Sequence, residues 1–427
     1  MIRIMKIGDK QFGEVLSRSQ LTKADAEQTV KTILAEVRSS GDQALFDYTR
    51  RFDHAALTPE TVRVSKKEIE AAYAEIDAAL LEVLKESAEN IAAYHKKQLR
   101  SSWLEEDKEG ERLGQLFLPI ASVGVYVPGG AAAYPSSVLM TVIPAKVAGV
   151  ARIVMATPCD KGTGRIAAAT IVAADIAGVN EIYKIGGAQA IAALAFGTES
   201  VAKVDKIVGP GNIYVALAKR EVFGFVGIDS IAGPSEVLVV ADASARADYV
   251  AADLLSQAEH DPMAACICVC TDEALAHEIA SQVEYQAANL SRAEIIRQSI
   301  SRHGAIVLAE DISKAMELAN MIAPEHLELC VKEPEEALKL VKNAGAVFMG
   351  HYSPEPLGDY FAGPSHVLPT SGTARFFSPL NVDDFVKKTS VISYTREALE
   401  QVHEKIELFA RTEGLTAHEN SVKIRFK

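Results

Sequence analysis

The sequence has few of the features that would place it in a class at once. It contains one tryptophan and five cysteines among 427 residues, and 44 basic residues stand against 57 acidic ones, for a formal net charge of −13. Proteins that bind nucleic acids usually carry a basic patch or stripe. The acidic balance therefore argues against a nucleic-acid partner and favours a small molecule.

Membrane-targeting patterns are also missing. The first twenty residues have neither the continuous apolar core nor the small-residue cleavage site of a secretory signal. The most apolar interior run, IAAATIVAADIAGV, is shorter than the roughly 18 residues of a membrane span and includes Asp175. We therefore expect a cytoplasmic protein that has no membrane segment.

The cysteines are too few, and odd in number, for a disulfide framework. Such scattered thiols are typical of a reducing cytoplasm. Three of them form the segment CICVC, and on a strand Cys266, Cys268 and Cys270 would share one face. A thiolate metal site is the alternative there, but small core residues in a buried strand are the favoured interpretation.

The standard nucleotide fingerprints do not occur. No GxGxxG opens a helix and no GxxxxGK[ST] is found, but three glycine-rich segments follow apolar strand patterns at 127–137, 185–190 and 208–214. Ligands of open parallel sheets bind at the carboxyl ends of the strands, where glycines let the backbone approach a phosphate. Each segment alone is as well explained by a tight turn, but three in one array favour a ligand.

Alternating strand and helix patterns predict an α/β fold with two Rossmann-like parallel-sheet domains. The first array occupies residues 121–235 and the second residues 236–378. Alternation of this kind is typical of a parallel sheet covered by helices. The similar lengths suggest a duplication of an incomplete Rossmann unit, although no residue-level repeat supports it.

Helical patterns flank the two arrays. Residues 1–20 are predicted as an N-terminal arm, and residues 21–120 as a helical segment that packs with the 236–378 domain. A glycine-, proline- and serine-rich stretch at 351–381 is long enough to predict a functional loop or a linker. Residues 379–427 are predicted as a small helical C-terminal tail.

The segment SQAEHDP ends a helical pattern and carries side chains that hold protons or metals. Gln257 and His260 are three residues apart and therefore neighbours on one helix face, whereas Glu259 lies about 100° away from His260. Pro262 disfavours helical geometry at Asp261, so the helix should end there. The partial negative charge of the helix C-terminus would suit a cation. Taken alone, however, the segment is better explained as a polar helix end.

Other histidines stand beside carboxylates. Glu325 and His326 are adjacent, and Glu413 lies five residues before His418. A carboxylate beside an imidazole is the composition of acid–base catalysis, because histidine exchanges protons near neutral pH. The remaining histidines outside the long loop are predicted as surface residues: His54, His95, His277, His303 and His403.

Eight segments, in chain order, closely resemble histidinol dehydrogenases. They are GVYVPGG, GGAQAIAALAFGT, GPGNIYV, AGPSEVLV, LLSQAEHDP, APEHLEL, GDYFAGPSHVLPTSGTARF and GLTAHENSV. The resemblance spans essentially the whole chain. It implies two NAD-dependent oxidations, from L-histidinol through L-histidinal to L-histidine at the end of histidine biosynthesis, in a homodimer with one zinc ion per subunit.

The resemblance also implies the site residues. The implied zinc ligands are Gln257, His260, Asp359 and His418. The implied catalytic pair is Glu325 and His326. The implied substrate contacts are Ser235, Gln257, His260, His326, Asp359, His366, Glu413 and His418. The implied NAD contacts are Tyr126, Gln189 and Asn212.

This set of residues is chemically consistent. Two imidazoles and oxygen ligands suit zinc and leave positions for substrate. The family likeness places NAD on the 121–235 side and the zinc chemistry on the 236–378 side. It further implies that the tail carrying Glu413 and His418 reaches the partner subunit.

Three alternative functions share parts of the pattern. A paralogous zinc- and NAD-dependent alcohol dehydrogenase would act on another small polar alcohol. A zinc hydrolase would use Glu325 to activate water and would need no nicotinamide. A non-catalytic zinc or nucleotide sensor would not need the acid–base pair.

Overall fold

The computed structural model describes residues 2–9, 12–13, 24–129 and 133–427. The strands are β1 (Arg3–Lys6), β2 (Trp103–Lys108), β3 (Glu111–Pro119), β4 (Ser122–Tyr126), β5 (Arg152–Ala156), β6 (Glu181–Tyr183), β7 (Lys206–Val208), β8 (Gly227–Ile228), β9 (Glu236–Ala241), β10 (Ala265–Cys270), β11 (Gly304–Leu308), β12 (His326–Cys330), β13 (Ala346–Met349) and β14 (Val386–Tyr394). The helices are α1 (Ala24–Asp53), α2 (Lys66–Glu75), α3 (Ala78–Lys96), α4 (Pro135–Val147), α5 (Ala168–Ala177), α6 (Gly187–Phe196), α7 (Ile213–Val222), α8 (Ala247–Ala258), α9 (Glu273–Ala287), α10 (Ala293–His303), α11 (Ile312–Ile322), α12 (Pro334–Leu338), α13 (Glu355–Tyr360), α14 (Arg396–Glu400), α15 (His403–Thr412) and α16 (Thr416–Lys423).

The first sheet contains five parallel strands in the order β6-β5-β4-β7-β8. The chain moves outward from β4 to β6 and then returns to the other side of β4. Strand order therefore reverses between β4 and β7. At such a reversal an open α/β sheet forms a crevice outside the carboxyl ends of its strands.

The second sheet repeats this arrangement. Its order is β1-β11-β10-β9-β12-β13, and all its pairs are parallel. Apart from the edge strand β1, the strands follow the same order as in the first sheet, with the reversal between β9 and β12. The predicted α/β fold with two parallel-sheet domains is confirmed.

Both faces of each parallel sheet are buried, as the nearly continuous apolar strand sequences require. The CICVC segment is the buried strand β10, as predicted. Cys266, Cys268 and Cys270 enter one core of the second sheet, while Ile267 and Val269 enter the core on the opposite face. All three thiols are free.

A third, antiparallel sheet was not expected from the sequence. It has the order β14-β3-β2, with β2 and β3 in the predicted helical segment and β14 in the predicted helical tail. The helical prediction is wrong at these strands. Gly110, at φ 80, makes the turn between β2 and β3, and the β-branched residues of VKKTSVISY favour a strand.

The helices of the predicted helical segment contact both parallel-sheet domains. Helix α1 lies against α6 and α7, while α2 and α3 lie against α4 and α5 of the first sheet's domain. The segment therefore packs mainly on the first sheet's domain, and it meets the 236–378 domain through α3, where Ser87 and Asn90 donate to the carbonyls of Tyr360 and Phe361. The cause is visible in the cores, because Val30 and Leu45 join one face of the first sheet, and Leu84 and Ile91 join the other.

The N-terminal arm is only partly described. Its strand β1 extends the second sheet beside β11. Residues 1, 10–11 and 14–20 of the predicted arm lie outside the described residues.

Candidate active site

The acid–base residues lie at the amino edge of the second sheet. His326 is the first residue of β12, and Glu236 is the first residue of the neighbouring strand β9. Helix α8 connects β9 to β10, so it runs back along the sheet and ends at this same edge. Gln257 and His260, at and just beyond its C-terminus, are thereby brought towards His326.

The backbone of one residue, Glu236, holds both members of the predicted catalytic pair. The Glu236 N–H donates to Glu325 Oε2 at 2.8 Å. The carbonyl of the same residue lies 3.0 Å from His326 Nδ1, which donates to it. This hydrogen bond assigns the ring proton to Nδ1 and leaves the Nε2 of neutral His326 as an acceptor.

Burial shifts the two groups in opposite senses. Burial lowers the pKa of His326 to about 4, against the hydrogen bond from Nδ1 to Glu236, which raises it. Burial also raises the pKa of Glu325 well above its usual range, and the Glu236 N–H opposes this. The imidazole is therefore neutral near pH 7 and available as a base.

A cluster of possible metal ligands faces His326 Nε2. One donor atom from each of His260, Glu355 and Asp359 lies within 4.8 Å of the others. His326 Nε2 is 3.9 Å from Glu355 Oε1 and 3.9 Å from Asp359 Oδ1. We call His260, Glu355 and Asp359, together with Gln257, the cation cluster.

The cation cluster fits a divalent metal. Gln257 is 1% exposed, and its Oε1 has no hydrogen-bond partner among the described residues. A buried acceptor without a donor is costly unless something else fills that role. An amide oxygen, an imidazole and carboxylates form a donor set that zinc accepts.

The two carboxyl groups of the cation cluster are hydrogen-bonded to each other. Burial raises the pKa of Glu355 to about 8 and that of Asp359 to about 6. Two buried carboxylates cannot approach so closely without a shared proton or a cation. A metal ion would take the place of that proton.

A cavity of about 850 Å³ opens beside the cation cluster, with His326, Asp359 and His366 in its wall. His366 Nδ1 donates to the Asp359 carbonyl at 3.1 Å, and burial lowers the pKa of His366 to about 4. His95, predicted as a surface residue, is fully buried and also lines the cavity, so that prediction is wrong. Its ring lies against Gln98, 2.8 Å from Nδ1 to Oε1.

Three predicted substrate contacts lie outside this group. Ser235 precedes β9, where its carbonyl accepts the N–H of Ala265. Glu413 and His418 lie on the exposed α15–α16 tail. Among the described residues of this chain, neither one lines the cavity or joins the cation cluster.

The predicted NAD residues lie at the carboxyl edge of the first sheet. Tyr126 ends β4, and its hydroxyl accepts the N–H of Gly187 at 3.1 Å. Gln189 is 1% exposed and donates to Asp53 at 3.4 Å, while its Oε1 has no partner among the described residues. Asn212 caps α7. The unpartnered amide oxygen and the glycine turns fit a bound nucleotide.

A buried ion pair fixes the turn at the reversal of the first sheet. Lys219 Nζ donates to the Gly209 carbonyl at 2.9 Å, and Asp229 Oδ2 accepts the Gly209 N–H at 2.7 Å. Lys219 and Asp229 also pair directly. Gly209 has φ 112, and a β-carbon there would collide with the carbonyl oxygen of Tyr126, so only glycine fits this turn.

Sequence reasoning missed Glu355 and Glu236. Glu355 is four residues before Asp359, a spacing that places both on one face of α13. That spacing was the available signal for Glu355. Glu236 acts through its backbone N–H and carbonyl, and no pattern of side chains in the sequence indicates such a contact.

The comparisons with known proteins agree over the whole chain. The sequence model of the family described as histidinol dehydrogenase matches residues 16–426. A histidinol dehydrogenase of Bacillus thuringiensis subsp. konkukian (strain 97-27) is 55% identical over 429 residues, covering 99% of this chain and 99% of that protein. One from Bacillus subtilis (strain 168) is 53% identical over 424 residues, with 99% of each covered.

The structure of a histidinol dehydrogenase from Elizabethkingia anophelis aligns with a TM-score of 0.94 at 38% identity, covering 100% of this chain and 98% of that one. The chain belongs to the histidinol dehydrogenase family. The predicted family, and with it an NAD-dependent oxidoreductase of histidine biosynthesis, is confirmed. Within the part of the chain that the structure describes, no helix is both long and apolar enough to span a membrane.

Proposed function

We propose that the protein oxidises L-histidinol to L-histidine through L-histidinal, with NAD as the electron acceptor and zinc at the cation cluster. The observation that carries the proposal is the buried His326 Nε2, an acceptor that faces both His260–Asp359 and the cavity. An imidazole base beside a cation-binding group is the arrangement that alcohol oxidation needs.

The zinc ligands would be Gln257, His260 and Asp359 of one chain and His418 of the partner subunit's tail. Support comes from the unpartnered Gln257 Oε1 and from the donor atoms of His260 and Asp359, which lie within 4.8 Å. Zinc has no redox chemistry, so when bound it would orient the amino alcohol and the imidazole of the substrate.

His326 would serve as the base of the first oxidation. Nδ1 is occupied by the Glu236 carbonyl, so the alcohol proton would pass to Nε2 while the carbinol carbon gives up its hydride to NAD. The fixed tautomer and the lowered pKa both keep Nε2 ready to accept that proton. His326 would act as base again in the second oxidation.

Glu325 would act between the two oxidations. The aldehyde must add water before a second hydride can leave, and Glu325 is the predicted group that activates this water. Its carboxyl lies on the Nδ1 side of the ring, with Oε2 3.8 Å from Nδ1. Since the cation cluster faces Nε2 instead, the two members of the pair would address different atoms.

The remaining predicted contacts divide between substrate and cofactor. Ser235 and His366, together with the tail residue Glu413, would recognise the polar groups of histidinol. Tyr126, Gln189 and Asn212 would hold NAD at the crevice of the first sheet, where two molecules are used in turn for each substrate. Their position at the reversal of strand order supports this assignment.

A homodimer with a shared active site would complete the zinc ligands. His418 does not meet the cation cluster within one chain, and its tail exposes large apolar side chains, with Leu408 61% and Phe409 73% accessible. An exposed apolar patch of this kind is typical of a surface that another subunit covers. The cytoplasm is the proposed location.

The yield of NADH per molecule of L-histidinol tests the proposal. Two molecules of NADH, with L-histidine as the product, are expected. A yield of one would indicate a paralogous alcohol dehydrogenase that stops at the aldehyde. No NADH, from protein loaded with zinc, would overturn the proposal and leave the hydrolase and sensor alternatives.

A further inference from the structure

Two carboxyl groups outside the cation cluster, the partly buried Asp253 and the buried Glu328, lie on elements that also carry site residues. Asp253 is four residues before Gln257, on the same face of α8. Glu328 is two residues after His326, on the same face of β12. The mechanism uses neither residue, and neither lines the cavity.

These two carboxyl groups contact each other and a third element. Their oxygen atoms lie within 4.8 Å, and they share a hydrogen bond. Glu328, which is 1% exposed, also accepts the backbone N–H of Glu355 through Oε1 at 2.8 Å. Glu355 is the first residue of α13, the helix that carries Asp359.

We propose that Asp253 and Glu328 form a carboxyl clamp that positions the cation cluster, an inference that rests on the proposed zinc site. The clamp joins the two helices that supply the cluster to the strand that carries the base His326. Helix α8 brings Gln257 and His260, strand β12 brings His326, and helix α13 brings Asp359. Both residues act through others and touch neither substrate nor metal.

Glu328 is buried and Asp253 is partly buried, so the contact between them is shielded from most of the solvent. Two carboxyl groups can share a hydrogen bond only when one of them is protonated. Burial raises the pKa of Asp253 to about 6 and that of Glu328 well above its usual range, in keeping with the close approach of the two carboxyl groups. Breaking this contact is costly because the freed Glu328 carboxyl group would stay buried.

Cys330 completes the surroundings of the clamp. Its sulfur lies within 4.8 Å of the two carboxyl groups, and burial raises the pKa of the thiol far above its usual range. The thiolate, and not the thiol, is the metal-binding form of cysteine, so a thiol whose pKa is raised is a poor ligand. We therefore assign the clamp to positioning and not to a second cation.

The test compares Glu328→Ala with Glu328→Gln. Alanine removes the link to α13, so we expect zinc affinity, measured by competition with a chelator, to fall about 10- to 100-fold. The visible spectrum of the cobalt-substituted protein should change with the ligand geometry. Glutamine can still accept from Glu355 and donate to Asp253, so it should keep both affinity and spectrum close to those of the unmodified protein.

Two controls separate positioning from general loss of structure. NAD binding by the first sheet should be unchanged in Glu328→Ala, whereas a misfolded protein would lose it. Glu111→Ala removes another buried carboxyl group, on β3 of the antiparallel sheet, and should leave zinc affinity unchanged. If Glu328→Ala prevents folding, Glu328→Asp takes its place in the test. Aspartate keeps the carboxyl group but shortens its reach to Glu355, so Glu328→Asp should weaken zinc binding.

Each outcome is decisive. Unchanged zinc affinity in Glu328→Ala, or in Glu328→Asp where that variant is used, would overturn the clamp. Equal losses in the glutamine and alanine variants would also overturn it, because a purely positional link survives in the amide. Failure of the unmodified protein to bind zinc would instead overturn the proposed function, and the clamp with it.

Discussion

In the first sheet, β4 and β7 end at the reversal of strand order in glycine turns; in the second, β9 and β12 begin at the equivalent reversal with Glu236 and His326. The strand order is the same, but opposite edges carry the candidate chemistry. One sheet offers peptide groups and helix N-termini, which suit a nucleotide. The other offers buried titratable side chains.

The difference shows that strand order places the reversal within the sheet, whereas local sequence determines which edge carries the chemistry and what that chemistry is. At the carboxyl edge, Gly209 has no side chain and its peptide is held by Lys219 and Asp229. At the amino edge, the backbone N–H and carbonyl of Glu236 hold Glu325 and His326. Each edge uses the backbone of one residue as an anchor, but the second also brings together several titratable side chains whose pKa values burial has shifted.

The largest effect should follow from His326→Gln. Glutamine removes the Nε2 base, so turnover should fall about 10²- to 10⁴-fold, with zinc and NAD binding retained. His418→Ala should instead weaken zinc retention, since this residue is a proposed ligand from the partner's tail. Steady-state kinetics and metal content after dialysis separate the two roles. Full zinc and full rate in both variants would show that the roles are misassigned.

The next effect concerns the anchor of the first sheet. Lys219→Met leaves Asp229 buried without its cation, which should cost about 3–5 kcal/mol of stability. Distortion of the Gly209 turn should also raise the KM for NAD more than it lowers zinc affinity. The double variant Lys219→Met with Asp229→Leu should recover part of the stability. Denaturant titration is the measurement, and an unchanged midpoint for Lys219→Met would contradict the bracing role.

A smaller effect should accompany zinc binding to the second sheet. The pKa of Glu355 is about 8, so at pH 7 the Glu355–Asp359 pair holds a proton that the metal must displace. Zinc binding should therefore release about one proton at pH 7, and less above pH 9, where the pair is already ionised. Titration calorimetry in buffers of different ionisation enthalpy counts the protons.

Glu355→Gln provides the control for that count. The amide cannot hold the shared proton in the same way, so proton release at pH 7 should drop. Equal release in both proteins would place the proton on another group of the cation cluster.

Much of the fold could be predicted because each parallel strand is a short apolar run between turn residues. The prediction was wrong where the alternation of polar and apolar residues was weak. Strand β3 carries polar and apolar residues in no strict alternation, and strand β14 is largely exposed. Its pairing with β3 depends on two segments more than 250 positions apart along the chain, which no local pattern reports.

The candidate site was predictable in its side chains and not in its supports. Helix geometry placed Gln257 and His260 together, and the family likeness supplied Asp359. The backbone of Glu236 holds residues of the neighbouring chain segment, and the carboxyl group of Glu328 reaches two helices that pack on the sheet. Such contacts depend on how separate elements pack against one another, and no local spacing in the sequence specifies that packing.

The smallest effect would test whether shifted carboxyl groups are confined to the second sheet. Burial raises the pKa of Asp53, at the end of α1 beside Gln189, to about 6. The pKa of Asp53 in the folded protein is above its unfolded value of about 4. The contribution of Asp53 to stability is therefore fully present below pH 4 and is lost as pH rises through 6. Between pH 4.5 and pH 7 the protein should therefore lose on the order of 1 kcal/mol relative to Asp53→Asn. Denaturant titration of both proteins at the two pH values measures the difference, and a difference that does not change with pH would confine the buried, proton-holding carboxyl groups to the amino edge of the second sheet.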